Sequence, residues 1–236
     1  LQKFLIYKHF KNDFDHDGII IYVLPANDFT DNDLMFWNKP HNKFRFRPYY
    51  SLDANPMIPF YFQESEKRDS FVTKSDKKIK MSNFKGFIVD NFWTSNVLRT
   101  IKILNESKIN TVSGFKSFAG YYDNEQRLFK NFIVAYEEIA RISDNREILF
   151  VIIPDINDIR RHKYSETPKL YKKHEWYISL TNLNQKYRTY IVDLLEFIPE
   201  DYSSLFHSCD GHWSIKGNQW SAEIISNFIN DNNIFL

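Results

Sequence analysis

The sequence predicts an α/β fold: a single three-layer α/β/α domain, residues 1–236, built on a mostly parallel sheet. Two observations lead to this prediction. Short aliphatic runs, which are typical of strands buried on both faces, alternate with longer stretches of helical periodicity. Strands that alternate with helices in this way form parallel sheets. The length of 236 residues fits one large domain, and 43% hydrophobic residues with 17% aromatic residues supply a sizeable core.

Composition excludes several classes of protein. Because 31 basic residues are balanced by 30 acidic ones, for a net charge of +1, no electrostatic argument favours a nucleic acid partner. The single cysteine, Cys209, excludes an internal disulfide, and no apolar run approaches the ~20 residues of a membrane span. The chain begins with Leu1 and shows no signal peptide, so we expect an N-terminal piece to have been removed. Cytoplasmic, periplasmic and secreted locations in a bacterium all stay open.

The first part of the chain contains one strong strand. A short amphipathic helix is predicted over 1–12, and the β-branched run at 19–24 is typical of a strand buried on both faces. This strand leads into a polar loop predicted at 25–33. The loop follows the carboxyl end of the strand, which is where open α/β sheets place their sites.

The rest of the chain is predicted to be an insertion followed by alternating helices and strands. The insertion covers about 35–85, and within it 45–50 and 58–62 have the composition of a hairpin. A loop is predicted at 110–122. The pattern after it predicts a helix over 126–142, a strand over 148–153, a helix over 168–186, a strand over 190–195 and a helix over 218–229. We expect the polar loops after the three strands to gather at one edge of the sheet.

The stretch most informative about function is the loop at 209–218, which carries Asp210 two residues before His212. A carboxylate beside an imidazole fixes the ring tautomer and stabilises the imidazolium, as a general base requires. The same residues also fit an ordinary surface loop in which Ser214 caps the following helix. Trp213 fits two places equally well, in a substrate cleft or packed between this loop and the terminal helix.

No residue of the sequence is assigned as a nucleophile. Such a residue must approach the His212 ring to about 2.6–3.2 Å. Ser113 and Ser117 flank a glycine in a loop, and Ser208 is too close in sequence to His212 to align without strain. Cys209 offers a thiol near an imidazolium, but a lone cysteine is more often buried packing. None of the four is therefore preferred.

Metal binding is not predicted. His162 follows Asp155 and Asp158, and His174 lies twelve residues later, but this spacing fits no zinc pattern. We interpret these side chains as solvated charge. Neither a metal nor an organic cofactor is expected.

Several segments resemble the SGNH/GDSL hydrolase superfamily. Residues 210–218 (Asp-Gly-His-Trp-Ser-Ile-Lys-Gly-Asn), followed by 222–225, resemble its last sequence block, which carries the acid and base of a Ser-His-Asp triad. Residues 24–31 resemble its third block, a Gly-x-Asn-Asp sequence after a buried strand, with Pro25 in place of the glycine. Residues 190–194 resemble the strand before the final block. The resemblance spans nearly the whole chain.

The resemblance implies a flavodoxin-like fold and an ester hydrolase. His212 would be the general base and then the general acid, Asp210 would orient it, and Asn27 would donate its side-chain amide to the oxyanion hole. Without the resemblance, Asn27 and Asp28 would be interpreted as turn residues that bond to the backbone. The substrate would be an O-acetyl or another acyl ester, on a glycan or a small molecule.

Two family blocks are missing from the sequence: the Gly-Asp-Ser that carries the nucleophile, and a glycine of the oxyanion hole. Only 26 residues precede Asn27, and none of them is serine. Either the chain begins part-way through a longer protein, which the absent initial Met favours, or it is a natural derivative without a nucleophile. In the first case we expect the sheet to lack one or two N-terminal strands, which would leave apolar surface exposed or paired with another chain.

Two further functions stay open. One is an O-acyltransferase, which differs from a hydrolase in excluding water from the acyl-enzyme. The other is a non-catalytic glycan-binding or assembly module. A Gly-Asp-Ser in the reading frame upstream would favour an enzyme, and its absence would favour this module. Such a module would bind sugar rings through aromatic residues: Trp93, Trp176, Trp213, Tyr49 and Tyr50. The sequence predicts no oligomeric state.

Overall fold

The computed structural model describes residues 1–32, 49–50, 59–60, 119–123, 126–164, 168–207 and 211–235. Contacts within the chain group residues 1–59 and 118–236 into one compact unit, which is the unit described below. In the described residues the strands, in chain order, are β1 (Gly18–Val23), β2 (Tyr49–Tyr50), β3 (Pro59–Phe60), β4 (Glu147–Ile152) and β5 (Thr189–Asp193). Strands β1, β4 and β5 form one parallel sheet, in the order β1-β4-β5. The predicted α/β class and parallel sheet are confirmed.

The strands β2 and β3 form a separate two-stranded sheet. They lie inside the two segments that were predicted to form a hairpin, and the hairpin itself stays a prediction. The rest of the insertion predicted at 35–85, and most of the loop predicted at 110–122, lie outside the described residues.

Helices cover much of the remaining chain. In chain order they are α1 (Gln2–Phe10), α2 (Pro25–Asp31), α3 (Gln126–Ile142), α4 (Ile156–Tyr164), α5 (Glu175–Thr181) and α6 (Ile215–Asp231). Periodicity predicted α1, α3 and α6, whereas α4, which follows Pro154, was missed. No helix within the described ranges is long and apolar enough to cross a membrane.

The polar loop predicted at 25–33 is the helix α2, so the prediction was wrong there. Pro25 occupies the first helical position, where its missing N–H costs no hydrogen bond. The Asp28 carboxylate accepts the Leu24 N–H at 2.9 Å and holds the start of the helix. Pro, Asn and Asp begin turns as readily as helices, so a helix of seven residues resembles a loop in the sequence.

The helix predicted over 168–186 is broken. His174 is extended, with φ −72° and ψ 144°, and α5 lies between two short 3-10 turns. Tyr171 and Trp176, on either side of the break, are both fully buried. Residues five apart on a straight helix point about 140° away from each other. The break therefore allows both aromatic rings to enter the core.

The central strand β4 is buried along its whole length. Its side chains alternate between two hydrophobic clusters, because successive residues of a strand point to opposite faces. Ile148 and Phe150 belong to the larger cluster, which includes side chains of α1, α2, α3 and α5. Leu149 and Val151 belong to the smaller one, together with Ile225 of α6. Helices thus pack on both faces of β4.

The strand β1 is buried on one face only, so the prediction of burial on both faces was wrong for this strand. Ile20 and Tyr22 are 42% and 50% exposed, and no side chain of β1 belongs to the cluster formed with α6. A cavity of about 500 Å³ lies between α1 and β1, lined by Ile6, Phe10, Phe14 and the strand itself. Strand β1 therefore leaves apolar side chains exposed on one face, while the absence of further N-terminal strands stays a prediction.

Candidate active site

The carboxyl ends of the three parallel strands form one edge of the sheet. Val23, Ile152 and Asp193 are aligned in the register of the two strand pairs. Three segments leave this edge: α2 after β1, residues 153–155 leading into α4 after β4, and the 3-10 turn Leu194–Phe197 after β5. The predicted gathering of these segments at one edge is therefore confirmed.

Asn27 lies in the first turn of α2, directly after β1, and it is exposed. Its N–H donates to the Leu24 carbonyl at 3.0 Å, and its own carbonyl accepts from the Thr30 hydroxyl at 3.0 Å. The neighbouring Asp28 pairs with Lys3 at 2.7 Å as well as holding the helix start. Asp28 therefore has a structural role, while the Asn27 side chain is presented to solvent at the carboxyl edge.

The helix α6 places the His212 loop at the same edge. Near the end of the chain the Phe235 N–H donates to Glu147 at 2.5 Å, and the Phe235 ring lies against Gly18. Glu147 and Gly18 are the first residues of β4 and β1, so α6 ends at the amino edge of the sheet. The 17 residues of α6 span about 25 Å, which exceeds the ~20 Å of a six-residue strand. The helix α6 also contacts the 3-10 turn Leu194–Phe197, which follows β5 at the carboxyl edge. Its start, and the loop that carries His212, therefore lie towards that edge.

His212 is exposed in a loop that is fixed on both sides. Its carbonyl accepts the His207 N–H at 2.8 Å. Phe206 and Trp213 form an isolated antiparallel bridge, and the Ser214 N–H donates to the carbonyl of residue 205 at 2.8 Å. These bonds join residues 205–207 to residues 212–214 and so fix the backbone that carries the imidazole.

Several residues of the predicted site lie outside the described residues. They are the acid, Asp210, and the four alternative nucleophiles Ser113, Ser117, Ser208 and Cys209. The pairing of Asp210 with the imidazole two residues later thus stays a prediction.

The tryptophans have clear positions. Trp213 is half-buried with its ring centroid 5.5 Å from that of Trp220 in α6, so packing of this loop onto the terminal helix is confirmed and a substrate contact stays a prediction. Trp176 is fully buried and donates its indole N–H to the Tyr121 carbonyl at 3.3 Å. Its predicted part in an exposed sugar-binding surface is wrong. Trp93 lies outside the described residues.

Ser214 caps α6, as the alternative interpretation of this loop predicted. Its Oγ accepts the Gly217 N–H at 3.2 Å and donates to the Ser204 carbonyl at 2.9 Å. The same hydroxyl thus starts the helix and ties it to the turn Tyr202–Leu205. Capping and a catalytic His212 are compatible, because the cap fixes the chain that follows the imidazole.

We expect Ser214→Ala to lower the free energy of unfolding by about 1 kcal/mol, the usual cost of losing a side-chain cap. Urea unfolding measures this loss. Ser221→Ala is the matched control, because the Ser221 hydroxyl donates to the Asn218 carbonyl within α6 and caps no helix end. Equal losses in the two variants would show that capping is not the reason.

The strand β5 ends in a buried carboxylate. Asp193 is 5% exposed and accepts hydrogen bonds from the Tyr121 hydroxyl at 2.9 Å, the Tyr171 hydroxyl at 2.8 Å and the Leu195 N–H at 3.1 Å. Burial raises the pKa of Asp193, and these three bonds oppose that shift because they stabilise the charged form. Burial and then the Asp193 charge raise the pKa of both Tyr121 and Tyr171. Both tyrosine hydroxyls therefore keep their protons and donate hydrogen bonds to Asp193.

The helix α4 begins with a reciprocal cap. Asp155 accepts the N–H groups of Asn157 at 2.7 Å and Asp158 at 2.8 Å, and Asp158 accepts the Asp155 N–H at 3.0 Å. The other oxygen of Asp158 accepts the Tyr121 N–H at 2.9 Å. Asp158 is fully buried, so its interpretation as solvated charge was wrong. The Asp-x-x-Asp spacing is a helix-start signal that the sequence analysis missed.

The buried Asp158, next to the half-buried Asp155, predicts a dependence of stability on pH. Burial, and then the charge of Asp155, raise the pKa of Asp158 well above its ordinary value. The folded protein therefore holds this proton more tightly than the unfolded chain. The contribution of this proton to the free energy of unfolding is complete below about 3.9, the ordinary pKa of an aspartate in the unfolded chain. It is lost as the pH rises through the raised pKa of the folded protein.

We expect the free energy of unfolding of the wild type, minus that of Asp158→Asn, to fall as the pH rises from about 3 to about 8, because asparagine does not titrate. Urea unfolding at several pH values gives this difference. A difference that grows with pH would contradict the prediction.

The histidines considered for metal binding are not assembled into a metal site. His162 is half-buried, with Nδ1 3.3 Å from the Tyr122 hydroxyl and 3.2 Å from the Pro168 carbonyl. Burial lowers its pKa. In the part of the chain that the structure describes, no three His, Cys, Asp or Glu side chains are grouped closely enough to hold a metal ion.

Comparisons with protein-family models, with curated proteins and with solved structures give no match for this chain. The candidate site therefore depends on the residues and geometry described above. The resemblance to SGNH/GDSL hydrolases stays a prediction from sequence motifs.

Proposed function

We propose that the protein hydrolyses acyl esters at the carboxyl edge of its parallel sheet, with an O-acetyl or another acyl group carried by a glycan or a small molecule. The observation that supports this most is the position of Asn27 and His212. Both are exposed, and the segments that carry them, after β1 and before α6, lie at the same edge. An amide donor and an imidazole at such an edge are suited to acyl transfer.

In the proposed reaction His212 accepts the proton of an attacking serine as the serine oxygen bonds to the ester carbonyl carbon. Asp210 orients the imidazole, and the Asn27 amide donates to the oxygen on which negative charge develops. His212 then gives the proton to the departing alcohol, which leaves an acyl-serine. Water attacks this intermediate, with His212 again accepting a proton, and releases the acid. The reaction requires no metal and no organic cofactor.

The attacking serine is not assigned within this sequence. In the proposal it comes from a segment outside the sequence, and it must reach the His212 ring at about 2.6–3.2 Å. The test therefore uses the protein expressed from its complete reading frame.

The experiment measures hydrolysis of p-nitrophenyl acetate by the wild type and by Asn27→Ala. Loss of an oxyanion donor is expected to lower kcat by about 10²- to 10³-fold, with a small change in KM. Asn182→Ala is the matched control, because Asn182 is an exposed asparagine shortly before β5 begins, at the opposite edge of the sheet. Equal activities of the two variants would contradict the role of Asn27. Transfer of acetate to an added alcohol, in place of release into water, would indicate an acyltransferase.

A further inference from the structure

A turn at residues 119–123 lies directly against the start of α2. A methyl group added at Gly120 would stand 2.1 Å from the Ala26 nitrogen and 2.5 Å from the Pro25 carbonyl carbon. Real Cβ atoms essentially never come closer than 3.0 Å to another heavy atom, so a residue with a side chain at this position would force the two backbones apart. Because Pro25 and Ala26 immediately precede Asn27, a shift of this turn would move the backbone that carries Asn27.

Tyr121 anchors this turn through its three polar groups. Its N–H donates to Asp158 at 2.9 Å, its hydroxyl donates to Asp193 at 2.9 Å, and its carbonyl accepts the Trp176 indole N–H at 3.3 Å. These partners belong to α4, to the end of β5 and to α5. Tyr121 and all three partners are buried, so water cannot readily replace the bonds.

The turn is also closed on itself. Asp123 accepts the Ala119 N–H at 2.9 Å, and its own N–H donates to the Ala119 carbonyl at 2.8 Å. The second oxygen of Asp123 pairs with Arg161 of α4. The turn is thus bonded internally and to α4, α5 and the end of β5, so its position against α2 is fixed.

We propose that Tyr121 is a positioning residue for Asn27: by holding Gly120 against Ala26, it fixes the first turn of α2 and with it the Asn27 side-chain amide. This inference rests on the proposed function, in which that amide donates to the oxyanion. Misplacement of a catalytic group by about 1 Å lowers rates by up to ~10²-fold. Loss of the bonds that anchor the turn is therefore expected to lower kcat measurably.

The experiment compares Tyr121→Phe with Tyr171→Phe. Each variant keeps its ring and removes one hydroxyl bond to Asp193, but only Tyr121 belongs to the turn. Similar losses of stability are expected. For ester hydrolysis, Tyr121→Phe is expected to lower kcat about tenfold with KM nearly unchanged, and Tyr171→Phe to stay within about twofold of the wild type. Equal effects on kcat would overturn the proposal.

Two further measurements separate a positioning role of Tyr121 from a general loss of stability of the fold. In an Asn27→Ala background, Tyr121→Phe is expected to have no additional effect on kcat, because it acts through Asn27. A tenfold additional loss would overturn the proposal. The second readout is hydrogen exchange at the N–H groups of Asn27 and Asp28, which donate to the Leu24 carbonyl at 3.0 and 2.8 Å.

This exchange is expected to be about tenfold faster in Tyr121→Phe than in Tyr171→Phe. It needs no substrate, so it decides the positioning role even if the protein hydrolyses no ester and the proposed function fails. Equal exchange rates in the two variants would overturn the inference.

Discussion

Replacing His212 with alanine is expected to lower kcat/KM for ester hydrolysis by about 10⁴- to 10⁶-fold, because the nucleophile and the leaving group both depend on this imidazole for proton transfer. The measurement is the rate of p-nitrophenyl acetate hydrolysis by the protein expressed from its complete reading frame. The stability of the variant should be close to that of the wild type, since the side chain is exposed.

The loop provides a matched control. His207 is also exposed and lies five residues earlier. Its contact with His212 is made by backbone atoms, N–H to carbonyl at 2.8 Å, and this bond survives substitution of either side chain. His207→Ala should therefore retain the activity of the wild type within about twofold. Comparable losses in the two variants would mean that the loop matters for its structure and that His212 has no role in proton transfer.

Replacing Asp193 with alanine is expected to give the largest loss of stability, about 3–5 kcal/mol, because it leaves two buried tyrosine hydroxyls without an acceptor. These are the hydroxyls of Tyr121 and Tyr171, 2.9 and 2.8 Å from the carboxylate. Urea unfolding measures the loss. Asp201→Ala, at an exposed position nearby, should stay within about 0.5 kcal/mol of the wild type.

A triple variant tests the reason for this loss. Asp193→Ala combined with Tyr121→Phe and Tyr171→Phe removes the donors together with the acceptor, so no buried hydroxyl is left unpaired. The triple variant is expected to be more stable than Asp193→Ala alone, apart from the cavity that the shorter side chain leaves. If it is less stable, the hydroxyl bonds are not what Asp193 contributes.

The sequence predicted those elements whose pattern is local. After Glu147 the strand β4 consists of consecutive aliphatic and aromatic residues, and α3 repeats its apolar residues at helical spacing, so both were predicted to within one residue. The helix α2 was missed since its seven residues begin with turn-forming types. The break at His174 was missed because it depends on two aromatic side chains that must both reach the core.

The candidate site was predicted unevenly for the same physical reason. Asn27 and His212 were chosen from short sequence motifs, and in the structure β1 leads to the segment of Asn27 while α6 follows the loop of His212. The buried carboxylates could not be predicted in this way. Asp158 is bonded to Tyr121, 37 residues earlier, and Asp193 to the same tyrosine, 72 residues away. Such partners are adjacent only in the fold, so single-sequence patterns assign these aspartates to a strand end or to solvent.

The most direct test of the proposed ester hydrolase is the intact mass of the protein, expressed from its complete reading frame, after reaction with a fluorophosphonate. A Ser-His-Asp site predicts one covalent adduct on a serine, which His212→Ala prevents and His207→Ala preserves. Peptide mapping would then identify the nucleophile that this sequence does not reveal. The absence of an adduct on the folded protein, or an adduct that forms equally in His212→Ala, would contradict the proposed function.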